Sequence, residues 1–257
     1  MKNALSLVCM FLAGILMPTT SFAQGNTLFN PDYNGDGFIG VDDILGALSF
    51  YDNAWDGPVS PSWSCGEAIT YAGVGYSTVQ IGDQCWFAEN LRTTTYLNGE
   101  AIPQNLSDGD WSNTSSGAMA FYGNVPTNSG LYNFFALDDT RGLCPSGWHV
   151  PTDGEWTVMT DLLGGESVAG GQMKATYGWV GGGNGTNSSG FSGLPGGYRY
   201  YFNGFFNLAG DFGYWWSSSP SGSSAWSRGL GNGSEDVGRS NVNRRYGFSV
   251  RCVRDAE

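Results

Sequence analysis

Lysine is almost missing from this chain. Only Lys2 and Lys174 are present, and Lys and Arg together number 11 against 23 Asp and Glu. The formal net charge is −12. No basic stripe exists to neutralise phosphates, which excludes nucleic acid as a partner. Histidine occurs once, at His149. None of the cysteines is spaced Cys-x-x-Cys, so a zinc cluster is excluded on ligand supply. Past residue 23, no apolar run approaches the roughly 18 residues that a membrane span requires. Charged residues make up only 13%, too few for a coiled coil or a solvated helical bundle. Tandem repeats and low-complexity tails are also absent. No nucleophile or carboxylate can be assigned beside His149, so a structural place at a strand end is the expectation for it.

What the chain has instead is glycine and aromatic rings. Gly stands at 41 of 257 and aromatics at 15%. These numbers fit loop-rich β structure around aromatic cores. Residues 1–23 read as a signal peptide. Lys2 supplies the positive end, Leu5–Met17 the apolar stretch, and Ser21-Phe22-Ala23 a small-x-small cleavage site. The expected destination is outside the cytoplasm, either extracellular or on the cell surface. Cys9 lies inside the apolar stretch. Cys65, Cys85, Cys144 and Cys252 remain, an even number in an exported chain, which reads as two disulfides with three pairings open.

The most specific chemistry lies at residues 32–43. Asp32, Asn34 and Asp36 occupy positions 1, 3 and 5 of a twelve-residue loop. Gly37 stands where the backbone must turn, Phe38 offers its carbonyl, Ile39 anchors inward, and Asp43 closes position 12. Calcium seeks six to eight oxygens, and this is the spacing of an EF-hand loop. The bare alternative is an acidic Asn-Gly/Asp-Gly turn. Ile44, Leu45, Leu48 and Tyr51 then form the apolar stripe of a short exit helix. Pro31 and the short run before it leave no room for an entering helix. The unit resembles one half of a dockerin repeat, where Asp at position 12 is usual, and one half is what the chain contains.

Residues 53–64, with two prolines, read as a linker between this unit (24–52) and a domain at 65–255. Strand-like runs fall at Ile69–Tyr71, Thr78–Ile81 and Cys85–Ala88, with a tight hairpin at Ile81–Cys85. Thr152 and Glu155 form a capping box, which predicts a helix ending at Gly164-Gly165. Its expected inward residues are Trp156, Met159, Leu162 and Leu163. A second short helix is expected within 168–176. Further strands are expected near Tyr198–Phe202, Tyr214–Ser217, Trp226–Leu230 and Gly247–Arg254. Tyr214-Trp215-Trp216, Trp226 and the run Tyr198–Tyr201 either form an aromatic platform for a sugar ring or fill a core, with Tyr198, Trp215, Trp216 and Trp226 the leading candidates. Burial energetics favour the core. Glu235 and Asp236 with Asn232 are weak candidates for a second calcium site. Arg244-Arg245 reads as a solvated turn.

Several segments coincide with one family. They are Val79–Leu91 (VQIGDQCWFAENL), Gly142–Thr152 (GLCPSGWHVPT), Leu194–Arg199 (LPGGYR), Gly213–Ser218 (GYWWSS) and Tyr246–Asp255 (YGFSVRCVRD). Together they resemble the Fibrobacter succinogenes major paralogous domain. Val150–Trp156 is similar to the helix-opening motif of the formylglycine-generating enzyme family. Cys144–Trp148 is similar to the opening of C-type lectin domains. The fold implied is α+β: a C-type-lectin-like domain rich in loops and short antiparallel strands, preceded by the small calcium loop-helix unit. In such domains the last strand returns beside the segment before the main helix, which implies a Cys144–Cys252 bridge. Cys65 and Cys85, flanking the first hairpin region, form the other.

The resulting expectation is an exported, non-catalytic binding or surface module, with calcium as its ion and an extracellular glycan or protein as partner. The alternatives are a dockerin-like component of a polysaccharide-degrading assembly and a formylglycine-type enzyme. The loop at 32–43 generates a direct test. Calorimetric titration of the mature protein is expected to show one calcium site. Asp32→Ala combined with Asp36→Ala should abolish it, because two of the charged ligands are gone. Unchanged binding in the double mutant contradicts the assignment.

Overall fold

The computed structural model describes residues 63–125 and 129–256. The expected signal peptide, calcium loop and exit helix, and most of the linker, lie outside the described residues. Within them the chain is a mixed α+β domain in which strands predominate. Among the described residues, no helix is long and apolar enough to cross a membrane.

The domain opens with hairpin β1–β2 (Ile69–Tyr71, Val74–Tyr76) and then β3 (Thr78–Ile81) and β4 (Gln84–Phe87). The β3–β4 turn is Gly82-Asp83, with Gly82 at φ 63°, a conformation that glycine adopts without steric cost. The last strand, β12 (Val253–Asp255), pairs antiparallel with β4. The start and end of the domain thus share one three-stranded sheet, ordered β12-β4-β3. Two disulfides hold this seam, Cys65–Cys85 and Cys144–Cys252. This is the expected pairing.

Short elements fill the middle of the chain. Helix α1 (Asp108–Asn113) is capped by Ser107, and strands β5 (Met119–Phe121) and β6 (Gly130–Tyr132) pair. Helix α2 (Phe134–Leu137) is capped by Asn133. The main helix α3 spans Asp153–Leu162, with the Thr152/Glu155 capping box formed in both directions. Trp156 and Met159 are buried as expected, but Leu162 is 59% exposed and Thr160 takes an inward place. Trp156, Met159, Thr160 and Leu163 follow the i, i+3, i+4, i+7 spacing of one helix face, and Leu162 falls off it. Helix α4 covers Ala169–Met173.

The second half of the domain is a five-stranded sheet ordered β11-β10-β9-β7-β8. Its strands are β7 (Gly196–Arg199), β8 (Phe206–Ala209), β9 (Phe212–Ser221), β10 (Ser224–Gly231) and β11 (Val237–Asn243). Strand β11 was not expected. Its charged and polar sequence has no apolar alternation, and it forms as an edge strand through its register with β10.

Neighbouring residues on a strand point to opposite faces. Three such pairs show that the central strands are covered on both sides. Trp86, Trp215 and Val253 enter one core with Trp156, Met159 and Phe191. Phe87, Trp216 and Cys252 enter the other with Tyr132, Phe134 and Phe248. Helix α3 closes the first core. Its Trp156 indole donates to the Trp216 carbonyl at 3.3 Å. Asp153 at its start accepts from buried Arg228 at 2.6 Å and from Arg239 at 2.6 Å.

Three carboxylates of the domain titrate below their ordinary range. Arg141 hydrogen-bonds Asp139 and lowers it to about 2. Burial would raise Asp153, but Arg239 and Arg228 outweigh it and hold it low. Burial likewise opposes, and the bonds from Thr152 and His149 overcome, in Glu155. A carboxylate lowered in the folded state stabilises above its unfolded pKa and loses that contribution as pH falls through the folded value. Thermal melts should therefore be level near neutrality and drop between roughly pH 4.5 and 2. Asp153→Asn should flatten that drop, and an unchanged slope in this variant would refute the assignment.

Candidate functional site

One face of the five-stranded sheet is hollow. Strands β9, β10 and β11 place Tyr214 opposite Gly229, and Gly229 opposite Gly238. Phe212 stands opposite Gly231, and Ser227 opposite Ser240. Along the groove β10 presents Ser227, Gly229 and Gly231, so this part of the floor has almost no side-chain bulk. A Cβ at Gly229 would meet the Tyr214 ring at 3.0 Å, and one at Gly231 would meet the Phe212 ring at 3.0 Å. The two rings lie in the space that the glycines leave. At Gly238 a Cβ would find only the Gly229 carbonyl, at 3.6 Å. The resulting groove has a volume of about 430 Å³, within the usual range for small-ligand sites.

Aromatic rings make its wall. Phe212 and Tyr214 are near parallel at 5.9 Å, Tyr214 and Phe248 at 5.0 Å, and Phe248 and Tyr246 at 5.0 Å. Tyr198 packs edge-on against Tyr214 at 5.6 Å and Tyr246 at 5.5 Å. The ring series continues past the groove through Tyr200 and Tyr201 to Phe202, which is 73% exposed. Burial, with the neighbouring tyrosines, pushes the Tyr198, Tyr214 and Tyr246 phenols up, Tyr246 furthest. All three therefore stay protonated and can donate.

The β10–β11 turn closes one end with Ser234 and Asp236. Buried Lys174 fixes this turn, donating to the Ser234 carbonyl at 2.7 Å and the Gly231 carbonyl at 3.1 Å. Val237 donates to the Glu166 carbonyl at 2.7 Å, and Asn232 bonds Asp211. Asn232 is thus engaged away from Glu235 and Asp236. Among the described residues, no group of three His, Cys, Asp or Glu is gathered to hold a metal.

The expected platform is divided by the fold. Tyr198 lies in the groove. Trp215 and Trp216 are both 0% exposed, and they enter opposite cores because they are adjacent on β9. Neither is available to a ligand. Trp226 lies on the α3 side of the sheet, where the Arg239 guanidinium stacks over its ring at 3.6 Å. The calcium ligands Asp32, Asn34, Asp36, Phe38 and Asp43 lie outside the described residues. Sequence reading missed Phe212, Tyr246 and Phe248, and it named Asp236 only as a candidate calcium ligand. The signal that marks the floor is Ser227-x-Gly229-x-Gly231 followed by Gly238-x-Ser240, small residues at a spacing of two on adjacent strands.

Two other features are smaller. A polar hollow is lined by Ser115, Ser116, Asp138, Asp139 and Arg141 among others, but Arg141 already pairs with Asp139 at 2.7 Å. His149 forms an isolated bridge with Val253, and its Nε2 meets Glu155 Oε1 at 2.6 Å. It sits at a strand end and steadies the start of α3.

The architecture and groove define a disulfide-bonded α+β domain with an aromatic-walled hollow on a glycine-rich sheet. The chain belongs to the Fibrobacter succinogenes major domain family, whose sequence profile matches residues 79–254. No curated protein and no solved structure shows a significant match.

The groove's openness can be tested by volume alone. Gly238→Phe adds a ring into open space, and its melting temperature should stay within about 3 °C of wild type. Gly213→Ala should cost about 1–3 kcal/mol, since its Cβ would lie 2.5 Å from the Leu194 carbonyl. Equal effects of the two substitutions in thermal denaturation would contradict the groove.

Proposed function

We propose that the protein is an exported binding module of C-type-lectin-like architecture that takes a glycan in the groove of the β7–β11 sheet. The observation that carries this reading is the pairing of ring faces with free hydroxyls. The hydroxyls of Tyr198, Tyr214 and Tyr246 have no hydrogen-bond partner among the described residues, and Ser227, Ser234 and Ser240 lie beside them. A sugar presents C–H faces that pack on aromatic rings and hydroxyls that exchange bonds with such groups. The seam of β4 and β12, and the capped helix after Cys144, support the lectin-like assignment. The two disulfides and the signal-like leader support export. The loop at 32–43 is the proposed calcium site, separate from this groove.

A non-catalytic role is the preferred reading. A formylglycine-type reaction needs a free thiol, and all four cysteines after residue 62 are in disulfides. That is why the enzyme reading stands third. A docking role for the 32–51 unit stands second, with one half-repeat to carry it.

A glycan array probed with and without calcium tests the reading. Binding to a defined set of neutral or charged glycans is expected, and Gly238→Phe should reduce it at least tenfold by filling the groove. Absence of binding on the whole array, or binding indifferent to Gly238→Phe, contradicts it.

A further inference from the structure

We infer that the groove selects a glycan carrying a protonated amine, as in a glucosamine unit, over its neutral or acidic counterpart; the inference rests on the glycan reading of the groove. The first observation is the wall. Tyr198, Phe212, Tyr214, Tyr246 and Phe248 line one cavity. Aromatic faces attract cations through their ring quadrupoles, more strongly where water is excluded. The second is Asp236. It lines the same cavity, and its carboxylate has neither an ion-pair nor a hydrogen-bond partner among the described residues. Its backbone N–H is occupied by the Ser234 hydroxyl at 2.8 Å, which fixes the turn that presents it. The third is the charge of the lining. No Lys or Arg lines the groove.

The cation bonded to the rim does not offset this. Lys174 is 4% exposed and directs its ammonium at two carbonyls, with the charge of Glu235 acting on it. Arg239, on β11 beside the groove residues Gly238 and Ser240, points to the other face and is paired with Asp153. An acidic sugar would place a carboxylate near Asp236 and against electron-rich ring faces. An amine of the same ring would meet both favourably. The sugar ring itself contributes equally in each case, so the substituent sets the preference.

The test compares three short oligomers of one length: glucosamine, N-acetylglucosamine and glucuronic acid trisaccharides. Dissociation constants are measured by calorimetry on the mature protein at a pH where the amine is charged. Glucosamine trisaccharide is expected to bind at least tenfold tighter than the N-acetyl form, and the acid form weakest. Asp236→Asn should bring the ratio of glucosamine to N-acetylglucosamine affinity close to one, and a ratio unchanged from wild type overturns the inference. Asp236 is exposed, so this variant keeps the fold. Because the chain is acidic, amine binding that survives Gly238→Phe is non-specific attraction and overturns the inference. Equal or tighter binding of the N-acetyl form also overturns it, while leaving the groove as a glycan site. No binding by any of the three in wild type overturns the inference and weakens the glycan reading with it.

Discussion

A single buried cation ties this domain together. Arg251 is 0% exposed, and among the described residues its partners include no carboxylate. Its guanidinium donates to the carbonyls of Phe87, Phe191 and Ser192 and to Asn90 Oδ1, at 2.7 to 3.2 Å. The Phe191 ring lies under it at 4.1 Å. Burial pulls its pKa down, and the fixed dipoles around it are what keep the charge tolerable. A charge in this position cannot be satisfied by halves. The acceptors come from two separate stretches, 87–90 and 191–192, so the end of β4, the loop before β7 and the C-terminal segment must all be in place together. Asn90 extends the arrangement. The same Oδ1 accepts from the Trp215 indole at 2.8 Å, and its amide donates to Ser129 and Ser249.

This network explains how an open groove can exist in a domain with few regular elements. Central strands are packed on both faces, with tryptophans doing most of the filling. The sheet is then free to leave β10 and β11 thinly covered on one side. Glycine there has a different task from glycine in the turns. At Gly229 and Gly231 the missing Cβ makes room for two rings. At Gly82 it permits a left-handed turn.

Local chemistry in the sequence announced several elements directly. The Thr152/Glu155 box starts α3 because both halves of it are short-range bonds. The Gly82-Asp83 hairpin is likewise local. The fate of Trp215 and Trp216 was not legible, because it depends on what covers each face of β9. Those covers, α3 on one side and Phe134 with Phe248 on the other, come from distant sequence. Strand β11 was hidden for a related reason: an edge strand with a solvated face carries little apolar pattern. The groove was half legible. Tyr198 and Tyr214 were singled out, but what surrounds them is set by register across three strands, and register is a long-range property.

The two disulfides divide the domain unevenly under tension. If its ends at residues 65 and 252 were drawn apart, residues 66–84 and 145–251 would stay within closed covalent loops. Only the stretch from 86 to 143 could pay out, giving roughly 200 Å of slack at about 3.5 Å per residue. Every strand from β7 to β11 lies inside the larger loop. Strain along the chain would therefore be taken up by the first half of the domain, while the groove-bearing half is bypassed by the load.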